Sequence, residues 1–207
     1  GWFYHQGEDD RVKSPQELVD LYYRSVGRNC VLLLNIPPDR TGRFHANDVH
    51  ALREARSILD ETFSDDLAAG AAVEATGSWS RHRKFSPQNL VDGSYESYWA
   101  APAGGPQSTI ELILPGIRTF DRILLQEPIR LGQRVASFKI EALVRNRWQE
   151  VARGTTIGHK RILRLSPVSS DRIRVTLEES RGPPALSTVA LYRASPREPG
   201  RPEPPGP

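Results

Sequence analysis

The stretch from Ser14 to Gly42 constrains the fold most strongly, because it joins a well-capped helix to an unusually apolar run. Ser14 is followed by Pro15 and, three residues after the cap, by Glu17, which is the pattern of a capping box with proline at the first helical position. Apolar side chains then recur at helical spacing. The pattern predicts a helix that stops at Gly27, with this glycine in the left-handed conformation.

The run that follows, residues 30–36, reads CVLLLNI and has almost no polar alternation. A strand that is apolar on both faces is typical of the middle of a parallel sheet covered by helices. Pro37 and Pro38 end the run, because proline cannot donate to a strand ladder, and the single cysteine, Cys30, is expected to pack within the strand. The stretch therefore predicts the last helix–strand unit of an α/β fold, with the residues after Pro38 forming a turn.

A second helix is predicted from about residue 47 to residue 63, capped by Asn47 or Asp48. The acidic pair Asp65 and Asp66 and the small residues after it then indicate a boundary. One strand and two helices cannot cover a parallel strand on both faces. The predicted first domain, residues 1–70, is therefore physically incomplete.

From residue 72 the pattern changes to short alternating strands separated by turn signals. The clearest case runs from Ser137 to Arg145, where apolar and charged residues alternate. The other predicted strands include 108–114, which stops at Pro115, as well as 120–126, 148–152, 161–165, 171–177 and 186–192. Evenly spaced strands of this kind predict an antiparallel sandwich or barrel, here over residues 71–194. The Pro-rich segment 195–207 is predicted to be a disordered tail.

Composition excludes two classes of partner. The net charge of +3 arises from interspersed charges, which is too small and too scattered for a nucleic-acid footprint. No apolar run approaches about 18 residues, so no membrane partner is expected. The sequence lacks methionine and begins at Gly1. We therefore expect that the natural N-terminus is not included, and the presence of a secretion signal stays open.

Several motifs in the first domain together resemble one enzyme family. GWFYH at residues 1–5, KSPQEL at 13–18, SVGRN at 25–29 and LLLNIPPD at 32–39 resemble the end of the catalytic barrel of α-L-fucosidases of glycoside hydrolase family 29. The similarity is greatest to the branch that acts on α-1,3/1,4-linked fucose. The resemblance implies that this region is the incomplete α/β end of a TIM-type barrel.

The second domain resembles the module that follows the barrel in that branch, a galactose-binding-like domain of the discoidin or coagulation-factor type C kind. The motifs are LQEPIRLGQRV at residues 125–135, GTTIGHKR at 154–161, and Asp92-Gly93 followed by Tyr98-Trp99. The resemblance extends in order from Gly1 to Tyr192. The expected fold is therefore mainly β, an antiparallel β-sandwich (galactose-binding-like jelly roll) preceded by the incomplete barrel end.

The resemblance also implies what this chain lacks. A retaining glycosidase needs two carboxyl groups about 5 Å apart, and in the family both lie in the barrel upstream of the part that residues 1–5 resemble. A complete barrel needs about 250 residues. The chain is therefore expected to be the C-terminal portion of an α-L-fucosidase, inactive alone. Its partners would be the missing barrel segment and, through the parent enzyme, fucosylated glycans, which favour an extracellular or periplasmic location.

The alternative is a non-catalytic carbohydrate-binding (lectin-like) or adhesion module. By resemblance, Trp2 and His5 would lie at the rim of the substrate pocket, although Trp2 would equally serve to pack the barrel end. In the sandwich, the candidate sugar-contacting residues are aromatic, basic or histidine side chains in or near its loops: Trp79, His82, Arg83 and Trp99. Trp99 has a competing interpretation as a core tryptophan.

Related domains often hold a structural calcium at the loop that matches Asp92, so Asp92 is the candidate ligand. Many of them also supply a late glutamate, and this chain has Thr188 after Ser187 at that place. No cofactor is therefore expected.

Overall fold

The computed structural model describes residues 2–103 and 107–198, apart from the side chain of Arg81. Two α-helices come first, α1 (Pro15–Ser25) and α2 (Ala46–Phe63). Eight strands follow: β1 (Ala72–Ala75), β2 (Trp99–Ala100), β3 (Ser108–Gln126), β4 (Val135–Val144), β5 (Arg147–Gly154), β6 (Arg161–Ser180), β7 (Ala185–Leu186) and β8 (Thr188–Tyr192). Short 3₁₀ helices lie at Gln6–Glu8, Trp79–Arg81, Arg83–Phe85, Pro87–Val91 and Ile129–Leu131.

Two long strands organise the sheet. β3 and β6 pair antiparallel from Ser108 opposite Leu177 to Leu125 opposite Arg161, with shifts of register on the way. β1 and β8 add to the two ends of β3, β4 pairs with the end of β6, and β5 pairs with β4. β2 and β7 form a separate pair. Every one of these pairings is antiparallel, which confirms the predicted mainly β sandwich.

The sandwich core follows from alternation along the strands. Ile110 and Leu112 of β3 and Phe138 and Ile140 of β4 are completely buried, and Trp99 lies in the same cluster. The polar residues between them, such as Glu111, face outward.

A second core lies on the outer face of the sheet, under the two helices. Ile123 and Leu125 point into the sandwich, while Leu124 between them packs outward with Ile162 and Ala190. The helices cover this face with apolar side chains that include Leu18, Val19, Tyr23, Ala51, Ala55 and Ile58. Both faces of this part of β3 are therefore buried, which accounts for its continuous apolar run.

The predicted parallel strand at residues 30–36 is not formed within the described residues. This segment is assigned to no strand, Val31 and Leu33 are each 91% exposed, and Cys30 is exposed rather than packed. Residues 31–34 form no hydrogen bond with another described residue. A strand needs neighbours for its backbone groups, and the described residues place none beside this segment.

The left-handed residue after α1 is Asn29 (φ 68°), and not Gly27 as predicted. Gly27 is buried where a Cβ would lie 2.6 Å from the carbonyl oxygen of Tyr23, so the glycine is needed for a close approach. Its carbonyl accepts a hydrogen bond from the backbone N–H of Ile162 at 2.8 Å. The end of α1 is thereby attached to the start of β6.

The first residues of the predicted disordered tail are ordered. Ser195 and Glu198 are buried, and the hydroxyl of Ser195 donates to Glu61 of α2 at 2.7 Å. Polar side chains on α2 and β3 provide the partners that a composition-based prediction does not see. The rest of the predicted tail, residues 199–207, lies outside the described residues. Among the described helices, none combines the length and the apolar character needed to cross a membrane.

Candidate functional site

Of the two N-terminal candidates, only His5 lines a small cavity. His5 lines a cavity of about 270 Å³ together with Tyr4, Asp9 and Asn35. Trp2 is 80% exposed and is not part of the cavity wall, although its carbonyl accepts a hydrogen bond from the Asn35 side chain at 3.3 Å. Both Trp2 and His5 remain available to whatever covers this end.

Three of the sandwich candidates come together on one loop. Trp79 is 42% exposed, and His82 and Arg83 are exposed beside it. The His82 Nδ1 accepts a hydrogen bond from the backbone N–H of Lys84 at 3.1 Å, which fixes its ring. Ser80, between them, has a left-handed φ of 51°. A ring that is partly exposed beside a histidine and a guanidinium can offer a stacking face and polar groups to a sugar.

Trp99 cannot share that role. It is 0% exposed, and its indole N–H donates to the carbonyl of Gly77 at 2.8 Å. Its face is covered by the sandwich core, so the prediction of a sugar contact is wrong and the interpretation as a core tryptophan is right. Through its hydrogen bond to Gly77, Trp99 holds the loop that carries Trp79 in place.

The residues around Asp92 do not fit a calcium ion. One carboxylate oxygen of Asp92 accepts the backbone N–H of Ser94 at 2.8 Å, and the other accepts the hydroxyl of Ser97 at 2.6 Å. Calcium takes six to eight oxygen ligands, usually with several carboxylates. Within residues 2–103 and 107–198 no group of three or more His, Cys, Asp or Glu side chains could hold a metal.

Sequence reasoning missed the buried carboxylate that joins the two sandwich motifs. Glu127 is buried, and one of its oxygens accepts the backbone N–H groups of Arg134 and Val135 at 2.7 and 3.0 Å. The other accepts the N–H of Gly158 at 2.7 Å. The Asn29 side chain accepts the N–H of the next residue, His159, at 2.7 Å. The motifs at 125–135 and 154–161 are therefore parts of one structural junction.

A second missed cluster ties the helices, the sandwich and the end of the described chain together. Arg122 of β3 donates to Glu198 at 2.6 Å and to the Tyr23 hydroxyl at 3.0 Å. Tyr23 in turn donates to the other oxygen of Glu198 at 3.0 Å, and Thr62 does so at 3.3 Å. Burial, followed by the charge of Glu198, raises the pKa of Tyr23 far above its usual value. The available signal was a charged residue inside the most apolar part of a strand.

Comparison with known proteins agrees with this architecture. Residues 72–190 match the F5/8 type C domain family, and residues 1–61 match the Alpha-L-fucosidase family. The first match spans more than half of the chain, so the chain belongs to the F5/8 type C domain family.

Its relatives over nearly the whole chain are α-L-fucosidases. Alpha-L-fucosidase 1 of Arabidopsis thaliana is 34% identical over 93% of this chain and 38% of its own length. The crystal structure of SpGH29 superposes with a TM-score of 0.87 at 40% identity, covering 94% of this chain and 42% of that one. A GH29 fucosidase of Ruminococcus gnavus in complex with fucose gives a TM-score of 0.85 at 29% identity, covering 95% and 40%. The chain thus spans 38% of the length of the curated relatives that it matches.

Proposed function

We propose that this chain is the C-terminal portion of an α-L-fucosidase of the α-1,3/1,4 branch, which hydrolyses α-linked fucose from glycans. The observation that carries the proposal is the unpaired segment 31–34, which has no hydrogen-bond partner among the described residues. Val31 and Leu33 are each 91% exposed, whereas Leu34 packs against the helix core. The segment lies within the range that matches the Alpha-L-fucosidase family. An unpaired apolar edge of this kind is an aggregation hazard unless another element covers it.

The chemistry of glycoside hydrolysis determines which part of the enzyme would carry the catalytic groups. The nucleophile and the acid/base of a retaining enzyme must face each other about 5 Å apart, and we place both in the barrel segment that would precede residue 1. Residues 1–70 would supply the last part of the barrel. Trp2 and His5 would then reach the rim of the substrate pocket, where His5 already lines a cavity.

The sandwich, residues 71–194, would act as a brace for the barrel end. Its outer face packs directly under α1 and α2 through Leu124, Ile162 and Ala190. In TIM barrels the helices surround the strands, so a sheet that holds two of them fixes the position of the adjacent strand. Fucosylated glycans would be bound through the complete enzyme, in keeping with the fucose complex of the Ruminococcus gnavus relative.

A chimera tests the proposal. This chain replaces the matching region of Arabidopsis thaliana α-L-fucosidase 1, and release of p-nitrophenol from an aryl α-L-fucoside is measured. We expect a folded, active chimera, whereas this chain alone gives no turnover above background. A chimera that folds without hydrolysing the fucoside, or hydrolysis by this chain alone, contradicts the proposal.

A double substitution tests whether residues 31 and 33 are needed for the activity of the chimera. Val31→Asp together with Leu33→Asp places two charges on the edge that the barrel would cover, so chimera activity should fall by more than about tenfold. The control is Ile117→Asp, since Ile117 is an equally aliphatic, exposed residue on the sandwich. Equal losses in both variants would show that the segment has no special role.

The exposed Trp79 favours the second candidate function, a carbohydrate-binding module. In that case the loop with Trp79, His82 and Arg83 binds glycans without the barrel. Calorimetric titration of this chain with a fucosylated lactose then gives saturable binding that Trp79→Ala removes. Phe44→Ala is the control, because Phe44 is another exposed aromatic residue. Absence of binding, or an equal loss in both variants, excludes this candidate.

A further inference from the structure

A groove of about 470 Å³ lies between the two helices and the outer edge of the sandwich. On the helix side it is lined by Tyr22 and Phe63, and on the sandwich side by Tyr192, Thr188 and Lys160. The Phe63 and Tyr192 rings meet edge-to-face with centroids 5.0 Å apart, and Phe63 also contacts Tyr22 at 6.2 Å. The packed rings form a fixed aromatic wall in a groove whose volume is typical of small-molecule sites.

Four polar groups in this groove lack partners among the described residues. The Lys160 ammonium and the hydroxyls of Tyr22, Tyr192 and Thr188 form no hydrogen bond or ion pair with another residue in the described part of the chain. Burial lowers the pKa of Lys160 and raises that of Tyr192 to about 12. Half-buried polar groups ordinarily pair with protein, water or ligand, so these atoms are free to bind a polar molecule.

The two acidic residues of the groove are already engaged. Asp60 forms an ion pair with Arg56 at 2.8 Å. Asp66 accepts the backbone N–H groups of Ala68 and Leu191 at 2.9 and 3.0 Å. Of the two cations that line the groove, Arg56 is paired with Asp60, whereas Lys160 has no acidic partner within the described residues.

We infer that the groove binds a saccharide bearing a carboxylate, of the hexuronic acid class. A pyranose ring has an apolar C–H face that suits the aromatic wall, and hydroxyls that suit Thr188 and the two tyrosines. Its carboxylate forms a charge-assisted hydrogen bond with Lys160, which acts as a compact point charge. The site needs no catalytic carboxylate, so the inference is independent of the proposed hydrolytic function.

Two sugars that differ only at C6 test the charge requirement. The 207-residue chain is titrated with methyl β-D-glucuronide and with methyl β-D-glucoside, followed by NMR and calorimetry. We expect the glucuronide to bind at least about tenfold more tightly, the size of one hydrogen bond to a charged group. Equal affinities for the two sugars, or no saturable binding up to about 50 mM, overturn the inference.

Variants assign the binding to the groove. Lys160→Gln removes the charge and should abolish the preference for the glucuronide, while Lys84→Gln, at an exposed lysine on a sandwich loop, should retain it. Thr188→Val keeps the side-chain shape and should weaken the binding of both sugars. A Lys160 pKa that rises on addition of the glucuronide supports a direct contact. An unchanged pKa, or an equal loss in Lys84→Gln, contradicts it.

Discussion

Arg122 joins helix α1, the sandwich and the end of the described chain through its polar contacts. It lies between Asp121 and the apolar residues of β3, and it is itself buried. Its guanidinium contacts Glu198 and the Tyr23 hydroxyl and also stacks over the Tyr23 ring, 5.3 Å from the centroid. A buried charge of this kind persists only when each of its donors has a partner.

Substitution of Arg122 by methionine should therefore be strongly destabilising. The change leaves the Glu198 carboxylate buried without its counter-charge, which costs about 3–5 kcal/mol. Urea-induced unfolding measures the loss. Arg56→Met is the control, since the pair of Arg56 with Asp60 is exposed, and its midpoint should stay unchanged. Equal effects of the two variants would contradict the role of the cluster.

Glu127→Gln tests the junction of the two sandwich motifs. Both carboxylate oxygens accept backbone N–H groups, and the amide of glutamine would set a donor against a donor. We expect a loss of about 1–3 kcal/mol in the free energy of unfolding. The exposed Glu179→Gln serves as the comparison. A neutral Glu127→Gln would mean that the junction does not depend on the charge.

Lys160→Met should stabilise the chain at neutral pH. Because burial lowers the Lys160 pKa from its usual 10.5, the unfolded state binds more protons than the folded state. The destabilising contribution is thus present at low and neutral pH and is lost as pH rises from the folded pKa to the unfolded value. Thermal unfolding at several pH values should show the advantage of Lys160→Met shrinking on that rise. If Lys160→Met unfolds at a lower temperature than the wild type at neutral pH, the predicted stabilisation is refuted.

At the scale of elements, the sequence predicted both helices, because their caps and apolar spacing are local features. The α1 capping box is confirmed, because the Glu17 N–H donates to the Ser14 hydroxyl at 3.2 Å and the Ser14 N–H donates to Glu17 at 2.7 Å. The predicted extent of α2 is close, but His45 provides the cap through its Nδ1, 3.3 Å from the Asn47 nitrogen. Histidine is not a common cap, so the pattern did not indicate it.

The bounds of the strands were predicted less well than those of the helices, because they depend on neighbouring strands. Alternation predicted β4 and β5 to within two residues, but it missed the short strands β1 and β2 and joined β7 and β8 into one strand. It divided β3 at Pro115 and β6 after Leu165, whereas each continues as one bent strand through shifts of register. A bulge lets a strand turn without losing its partner. Whether a proline stops a strand or bends it depends on the neighbouring strand, which sequence alone does not reveal.

The α1 cap leads to a prediction at this scale. Ser14→Ala removes the side-chain acceptor and should cost about 1 kcal/mol, whereas Ser14→Asp should retain most of the stability. Hydrogen bonds from the Ser14 backbone and side chain lower the pKa of Glu17. Its contribution is therefore present above the unfolded pKa and is lost as pH falls through the folded value. Chemical unfolding between neutral and acidic pH checks this, and equal acid sensitivity of wild type and Glu17→Gln would contradict it.

At the scale of the whole molecule, the sequence indicated the fold class but only part of the candidate sites. Trp79, His82 and Arg83 do share a loop, because they are close in sequence. Glu127, Arg122 and the Lys160 groove escaped notice because they join residues far apart along the chain. The apolar run at residues 30–36 was recognised as needing partners, yet its present exposure depends on what lies beside it, which no local pattern contains.

Amide hydrogen exchange of residues 31–34 tests this account most directly. In the isolated chain these amides form no hydrogen bond with another described residue and should exchange nearly as fast as in an unstructured peptide. In the Arabidopsis thaliana chimera the same amides should exchange at least about 100-fold more slowly, because they are then members of a completed sheet. The exchange rates of the Ile140 and Val175 amides in the sandwich should stay unchanged. Equal exchange of residues 31–34 in both proteins would contradict the claim that this segment completes an α-L-fucosidase barrel.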